Sequence, residues 1–462
     1  MAVAAPVLSP TSLLGDRRRF VRLSQIVSAW AQHAEASLPQ ALAGLAPVKG
    51  AYRFFANRAV TPQAILQTAR PDCLRKLASA ERVLLIQATT SLDFSGHAST
   101  TGIGPVGTRQ QGTRGFFVHT CLAASTAGTP LGLAAQYLWV REPADAGIAQ
   151  QRRQRDWEEK ESYRWLTVET ASRAGLPTSV ETVTIADAEA DIFALFAAPR
   201  PPQAQLLIRV AQAQRRLADG RALGVTAATA PVWGRYTVFL PARATRPART
   251  AVCQVQVASV QLQPPQNQRA RACWSEPAPL TVIRVTEPDP PLESEPLSWL
   301  LLTTLPVNSF LAVATCVGYY SYRWLIEQYH FLLKTGCRAE RLQLQTADRL
   351  ERAVAACCLV ALRLLWLTYL ARAQPDAPCT VAFAAAEWQA LCCASTQSAT
   401  PPDQPPTLRE AVRLVARLGG FLGRKGDGEP GPLTIWRGLT RLRDLTDMWR
   451  ILHAAPPVME SG

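Results

Sequence analysis

The spacing of apolar and polar residues changes several times along the chain. Apolar residues recur at helical spacing over 24–43, and Thr61-Pro62 is a helix start, with threonine as cap and proline in the first turn. Short helices are therefore predicted over 10–70. From 82 to 140 the period drops to two. Val83-Leu84-Leu85-Ile86 opens one strand, residues 115–119 form a second, and Leu131-Gly132-Leu133 leads into a third ending near Val140. Residues 147–174 read as a polar helix around Glu158-Glu159-Lys160-Glu161. A strand over 180–185 ends at Asp187 and runs into a helix over about 188–196, and 205–210 is strand again. From about 212 to 298, alternating segments lie between Pro- and Arg-rich turns, which predicts a small β-rich insertion. Trp299-Leu300-Leu301-Leu302-Thr303 reads as a buried strand, 309–372 as mostly helix, and 407–455 as a last helical segment after a Pro-rich break.

Composition sharpens this. At 462 residues the chain needs two or three domains. Forty-nine Lys and Arg against 35 Asp and Glu leave a net charge of +14. That excess points to a polyanionic partner, or simply to a genome that uses Arg freely. The eleven cysteines show no zinc-ligand spacing and an odd number, so they read as small buried hydrophobes in a reducing compartment. No signal peptide is expected at the N-terminus. The apolar stretch 353–371 carries Arg363 and is short for a membrane span, so a buried helix and a cytoplasmic protein are expected.

The most informative segment is 320–334, YSYRWLIEQYHFLLK. As one helix, it would place Tyr320, Arg323, Glu327, His330 and Lys334 within roughly an 80° arc. Apolar residues fill the remaining surface. A buried helix bearing such a stripe needs partners for it: phosphate, metal or the residues' own mutual pairing. Arg323 and Glu327 as a plain i,i+4 ion pair on a solvated face is the competing explanation.

Tyr320, Arg323, Glu327 and Lys334 stand at the spacing of the Y-R-E-K signature, and the chain resembles the bacterial insertion-sequence DDE transposases. Further segments carry the resemblance in order: Gly15-Asp16 with the arginines after it, Gly50-Ala51-Tyr52-Arg53-Phe54, Thr89-Thr90-Ser91-Leu92, Arg114-Gly115 with Val118-His119, Glu159-Lys160-Glu161-Ser162, Asp187 with Glu189-Ala190-Asp191, residues 299–303, and 416–421. It implies an α/β chain with an RNase H-like catalytic core over 71–372, to which the order of predicted strands conforms. About 212–298 is the β-rich insertion. A helical DNA-end-binding domain over 1–70 and a helical dimerisation region over 373–462 flank the core.

The resemblance implies that Asp187 and Glu327 are the second and third carboxylates of a DDE triad and ligands of Mg²⁺, for which Mn²⁺ can substitute. Two such ions would activate a water or 3′-hydroxyl and stabilise the leaving oxygen at phosphorus. Taken alone, Asp187 also fits a helix cap. Tyr320, Arg323 and Lys334 are implied phosphate contacts. His330 is either another contact or a hydrogen-bonded interior histidine. Trp299 matches a family tryptophan that handles a flipped base, or is an ordinary sheet aromatic. Arg209 falls where the family has a basic residue. Arg17, Arg18, Arg19 and Arg53 are the implied end-binding cations. The implied partners are double-stranded DNA, as transposon end and as target, and a second copy of the chain.

One position departs from the pattern. The family's first carboxylate precedes Thr-Thr, and here that position is Ala88. Asp93 is five residues on, about 15 Å along an extended strand and on its opposite face. Ala188 also stands where the family often has arginine. The expected function is therefore cut-and-paste transposition with the chemistry disabled at residue 88. The rival is a non-catalytic DNA-binding derivative, and an RNase H-like nuclease of another kind is a third option.

Overall fold

The computed structural model describes residues 7–32, 36–42, 44–107, 111–142, 157–240, 249–266, 273–292, 294–424 and 427–453. Part of the polar helix predicted around 147–174 and parts of the insertion lie outside them.

The N-terminal part is helical: α1 (Arg17–Gln32), α2 (Leu38–Leu42), α3 (Leu45–Ala56), α4 (Pro62–Leu66) and α5 (Arg70–Ala78). Thr61 caps α4 as its sequence predicts, its hydroxyl accepting from Ala64 N at 3.1 Å. The strands are β1 (Arg82–Asp93), β2 (Gly104–Pro105), β3 (Arg114–Ser125), β4 (Pro130–Trp139), β5 (Glu181–Ala186), β6 (Ala204–Arg209), β7 (Val232–Leu240), β8 (Arg249–Leu262), β9 (Ala278–Thr286) and β10 (Ser298–Thr303). Helices α6 (Tyr163–Arg173), α7 (Phe193–Ala197) and α8 (Leu223–Thr229) fall between them. After β10 come α9 (Phe310–Ser321), α10 (Trp324–Phe331), α11 (Ala347–Ala373), α12 (Ala385–Thr396), α13 (Leu408–Leu418) and α14 (Pro432–Leu452).

All ten strands form one mixed sheet in the order β2-β3-β1-β5-β6-β10-β9-β8-β7, with β4 also paired to β3. The predicted insertion is therefore not a separate lobe: β7, β8 and β9 continue the core sheet through β10. Neighbours β3, β1, β5 and β6 pair antiparallel, parallel and parallel in turn.

Both faces of the centre are covered, so β1 reads Val83-Leu84-Leu85-Ile86 without polar alternation. Leu84, Ile86 and Ala88 pack into the main core with α10 and α11, while Val83 and Leu85 face α5 and α6. Helix α11 is long and apolar enough to cross a membrane, and its apolar stretch is largely buried in that core. Arg352 ties α11 to the N-terminal helices, donating to Val60 O at 2.5 Å and Phe55 O at 3.0 Å. Ten of the eleven cysteines are buried, and all are free thiols, as small hydrophobes would be.

Candidate active site and nucleic-acid interface

Strand alternation decides which residues meet. On β5, Val183 and Ile185 join the core beneath α10 while Ala186 faces the other way. One further step puts Asp187 on the α10 side. Leu207 and Leu301 make the same choice on β6 and β10, which brings Arg209 and Trp299 to that face. Register aligns them as well: Gln87 pairs with Ala186 and Ala186 with Ile208. One residue beyond that row stand Ala88 within β1, Asp187 just past the end of β5 and Arg209 at the end of β6.

Segment 320–334 crosses this row, but not as the single helix its periodicity predicts. Helix α9 ends at Ser321 and α10 begins at Trp324. Between them Arg323 N bonds to Tyr320 O at 3.0 Å and Leu325 N to Tyr322 O at 2.9 Å, a tight three-residue turn. At the far end a π-helical turn, Leu332–Gly336, closes with Cys337 N on Leu332 O at 2.8 Å. No Gly or Pro marks the first change, so the sequence did not signal it; the second ends on Gly336.

The charged residues are paired. Arg323 Nη2 lies 2.6 Å from Glu327 Oε1, with 15% of the Arg323 side chain exposed and 36% of Glu327. Burial opposes the charge on Arg323, but Glu327, the Tyr320 hydroxyl and Asp187 together outweigh it and raise its pKa. The Tyr320 pKa is raised, by burial first, against the pull of Arg323 and Arg209. Its ring meets Trp299 edge-on at 5.0 Å. Lys334 Nζ is 3.8 Å from Glu340, whose Oε1 also accepts from Asp93 N at 3.0 Å. Sequence reasoning missed this brace between the end of β1 and the loop after α10, because Glu340 belongs to no motif.

Asp187 caps a short turn, its Oδ1 accepting from Glu189 N at 3.0 Å. Burial and then the neighbouring Asp187 raise the Glu189 pKa, while Arg164 lowers it. Asp93 is spent on Ser95, whose N and Oγ lie 2.8 and 2.6 Å from its Oδ1. It does not stand in for residue 88. His330 is not on the open surface: it is buried, with Nε2 3.2 Å from Thr120 Oγ1, and burial lowers its pKa to about 3. Of its two sequence readings, the interior one describes it. Thr120 is the register partner of Ala88, so this bond also ties α10 to the strand position beside Ala88.

The motif at 159–162 has a structural use. Glu161 takes Arg141 in a two-pronged bond of 2.7 and 2.6 Å, and Arg164 lies over the Trp139 ring at 3.3 Å. Among the described residues no three His, Cys, Asp or Glu side chains gather as a metal-ligand set.

Arg17, Arg18 and Arg53 are exposed on the N-terminal helices, and Arg19 donates to Leu14 O at 2.8 Å. Three arginines in the first turn of α1 oppose the helix dipole, a local cost that suits an anion-facing surface. Tyr52 shares that surface, whereas Phe54 and Phe55 are core, Phe55 stacking on Trp30.

Two comparisons with known families bear on this arrangement. Residues 9–60 match a transposase DNA-binding domain, and residues 359–452 match the Tn5 transposase dimerisation domain. A DNA-binding end, a mixed-sheet core and a dimerisation end are the parts of a transposase. The chain is a Tn5-like transposase. The dimerisation match begins within α11, so this one helix serves both the core and the C-terminal part.

Proposed function

We propose that the chain binds transposon ends as a dimer through a DDE-type RNase H-like core, and that Ala88 prevents it from cutting them. The observation that supports this reading is placement: Ala88 and Asp187 each follow the registered pair Gln87–Ala186 by one residue, and Glu327 lies on α10, which packs on the same core as β1 and β5. The order β4-β3-β1-β5-β6 and its pairing directions support the RNase H-like assignment.

Mg²⁺, or Mn²⁺ in its place, is the cofactor proposed for the complete triad, where it would supply nucleophile activation and charge stabilisation at phosphorus. The residues present do not fit it. Two carboxylates remain, one is bonded to Arg323, and the methyl group of Ala88 can neither ligate nor bridge. What the chain can do is hold DNA. The N-terminal arginines and the Arg323, Lys334 and Arg209 group offer two cationic surfaces, proposed to grip the end and the cleavage point; Tyr320, 2% exposed, lies beneath the second.

The test is a mobility-shift titration of DNA carrying the element's own terminal repeat against scrambled DNA, with Arg17, Arg18 and Arg53 changed together to Ala. End-selective binding that the triple change weakens at least about tenfold supports the reading. Equal binding to both DNAs contradicts it. A non-catalytic DNA-binding derivative is the second reading, favoured by the same Ala88, and absence of terminal repeats beside the coding sequence would select it.

A further inference from the structure

The loop after the π turn holds one residue in a conformation that its side chain disfavours. Arg338 has φ 47° and ψ 39°, a left-handed backbone that glycine adopts freely and arginine only at a cost. Gln397 is the one other non-glycine residue with positive φ among the described residues. The fold imposes this turn from both sides. Cys337, 5% exposed, bonds through its N to Leu332 O at 2.8 Å and sets its Sγ 3.7 Å from Cys357 O. Ala339 is fully buried, and Arg341 N bonds to Arg338 O at 2.8 Å. Its neighbours thus fix the backbone at 338, while the Arg338 side chain is exposed.

The surroundings are cationic. The charged residues over 334–341 are Lys334, Arg338, Arg341 and a single acid, Glu340. Glu340 is already engaged, with Lys334 at 3.8 Å and Asp93 N at 3.0 Å, and Asp93 is bonded to Ser95. Arg341 is exposed like Arg338. Through Glu340 the loop rests on the end of β1, five residues beyond Ala88. Glycine would relieve the backbone here, so a charged and exposed residue at this turn is explained by what it binds.

We propose that Arg338 is a further DNA-phosphate contact, carried on a rigid left-handed turn in the same loop as Lys334 and Arg341. A planar guanidinium takes a phosphate through two parallel hydrogen bonds, which suits a contact held on a fixed turn. Such a contact strengthens binding without reading sequence. The inference rests on the DNA binding proposed above and adds a residue outside the family signature.

The experiment is a titration of the full-length protein against end DNA and scrambled DNA at several salt concentrations, beside thermal unfolding. The unaltered chain is compared with Arg338→Gly, Arg338→Asn and Arg221→Gln. Gly and Asn both accept left-handed backbone, and both remove the charge. Arg221 lines a hollow with Thr303, at the opposite end of β10 from Trp299, and controls for the loss of one positive charge. Each Arg338 change should weaken binding to both DNAs at least about threefold and lower the slope of log affinity against log salt by about one. Neither should lower the melting temperature, and Arg221→Gln should bind as the unaltered chain does. Unchanged affinity in both Arg338 variants overturns the proposal, as does an equal loss in Arg221→Gln. So does a melting temperature that both Arg338 variants lower by several degrees, which would make the arginine structural. If the unaltered chain binds end and scrambled DNA alike, the proposed function falls, and this inference stands as long as the Arg338 changes weaken both. A chain that binds neither DNA overturns both.

Discussion

Two buried histidines, His119 on β3 and His330 on α10, show how burial sets charge at the residue scale. His119 sits between Thr89 and Gln87, with Nδ1 2.8 Å from one and Nε2 3.1 Å from the other. Burial lowers the pKa of both His119 and His330 to about 3, well below their usual 6.5. The unfolded chain takes up these protons near pH 6.5 and the folded chain resists them. Stability should fall as pH drops from about 6.5 toward 3, by up to about 1.4 kcal/mol per pH unit per histidine. Denaturant unfolding at pH 7 and pH 5 checks this, and His330→Gln should flatten the slope. Glu351 works in the opposite direction. Burial, then Asp348, raise its pKa to about 7 while Arg352 opposes them. The folded chain keeps a proton that the unfolded chain releases near 4.5, so this contribution fades as pH rises from about 4.5 to 7. Glu351→Gln should raise the melting temperature at pH 8 and leave it little changed at pH 4. Asp187, Glu327, Tyr320 and Arg323 were readable from sequence as motif members. Their pairing was not, because an i,i+4 spacing fits an ion pair and a phosphate or metal site equally well.

At the scale of elements, the pattern found β1, β3, β4, β5, β6 and β10 but not the two-residue β2, and it shortened β3. β3 runs on through Thr120-Cys121-Leu122-Ala123-Ala124, where both faces are buried and alternation disappears. The break between α9 and α10 arises from backbone bonding without a Gly or Pro signal, and the π turn after α10 reaches its glycine, Gly336, only beyond 334, so 320–334 looked like one helix. Helix α1 begins at Arg17, earlier than hydrophobic spacing indicated, because a first turn of three arginines has no apolar face. Helices α13 and α14 touch through glycine: a Cβ on Gly438 would fall 1.8 Å from Val415 O, and one on Gly419 would fall 2.0 Å from Thr434 O. Gly438→Ala should force the two helices apart and cost about 1–3 kcal/mol. Thermal unfolding measures this, and an unchanged melting temperature would mean the helices give way easily.

For the whole molecule, the two matched ends lie outside the sheet and α11 joins the C-terminal one to the core. A net charge of +14 spread over this assembly makes DNA binding depend on counter-ion release. Affinity for end DNA should drop by at least about tenfold between 50 and 200 mM salt. A flat response would point to a partner other than nucleic acid. The domain order was legible from motifs scattered over the chain. That the insertion extends the core sheet was not, because strand order across long connections leaves no local pattern.

The most direct measurement is cleavage of DNA bearing the element's own end, in Mg²⁺ and in Mn²⁺, by the unaltered chain, by Ala88→Asp and by Ala88→Asn as a size control. Ala88→Asp should nick the end at least about 100-fold faster than the other two, while all three bind it alike. Cleavage by the unaltered chain at the rate of Ala88→Asp, or none by an Ala88→Asp protein that folds and binds the end, would contradict the account that residue 88 alone separates this site from a working one.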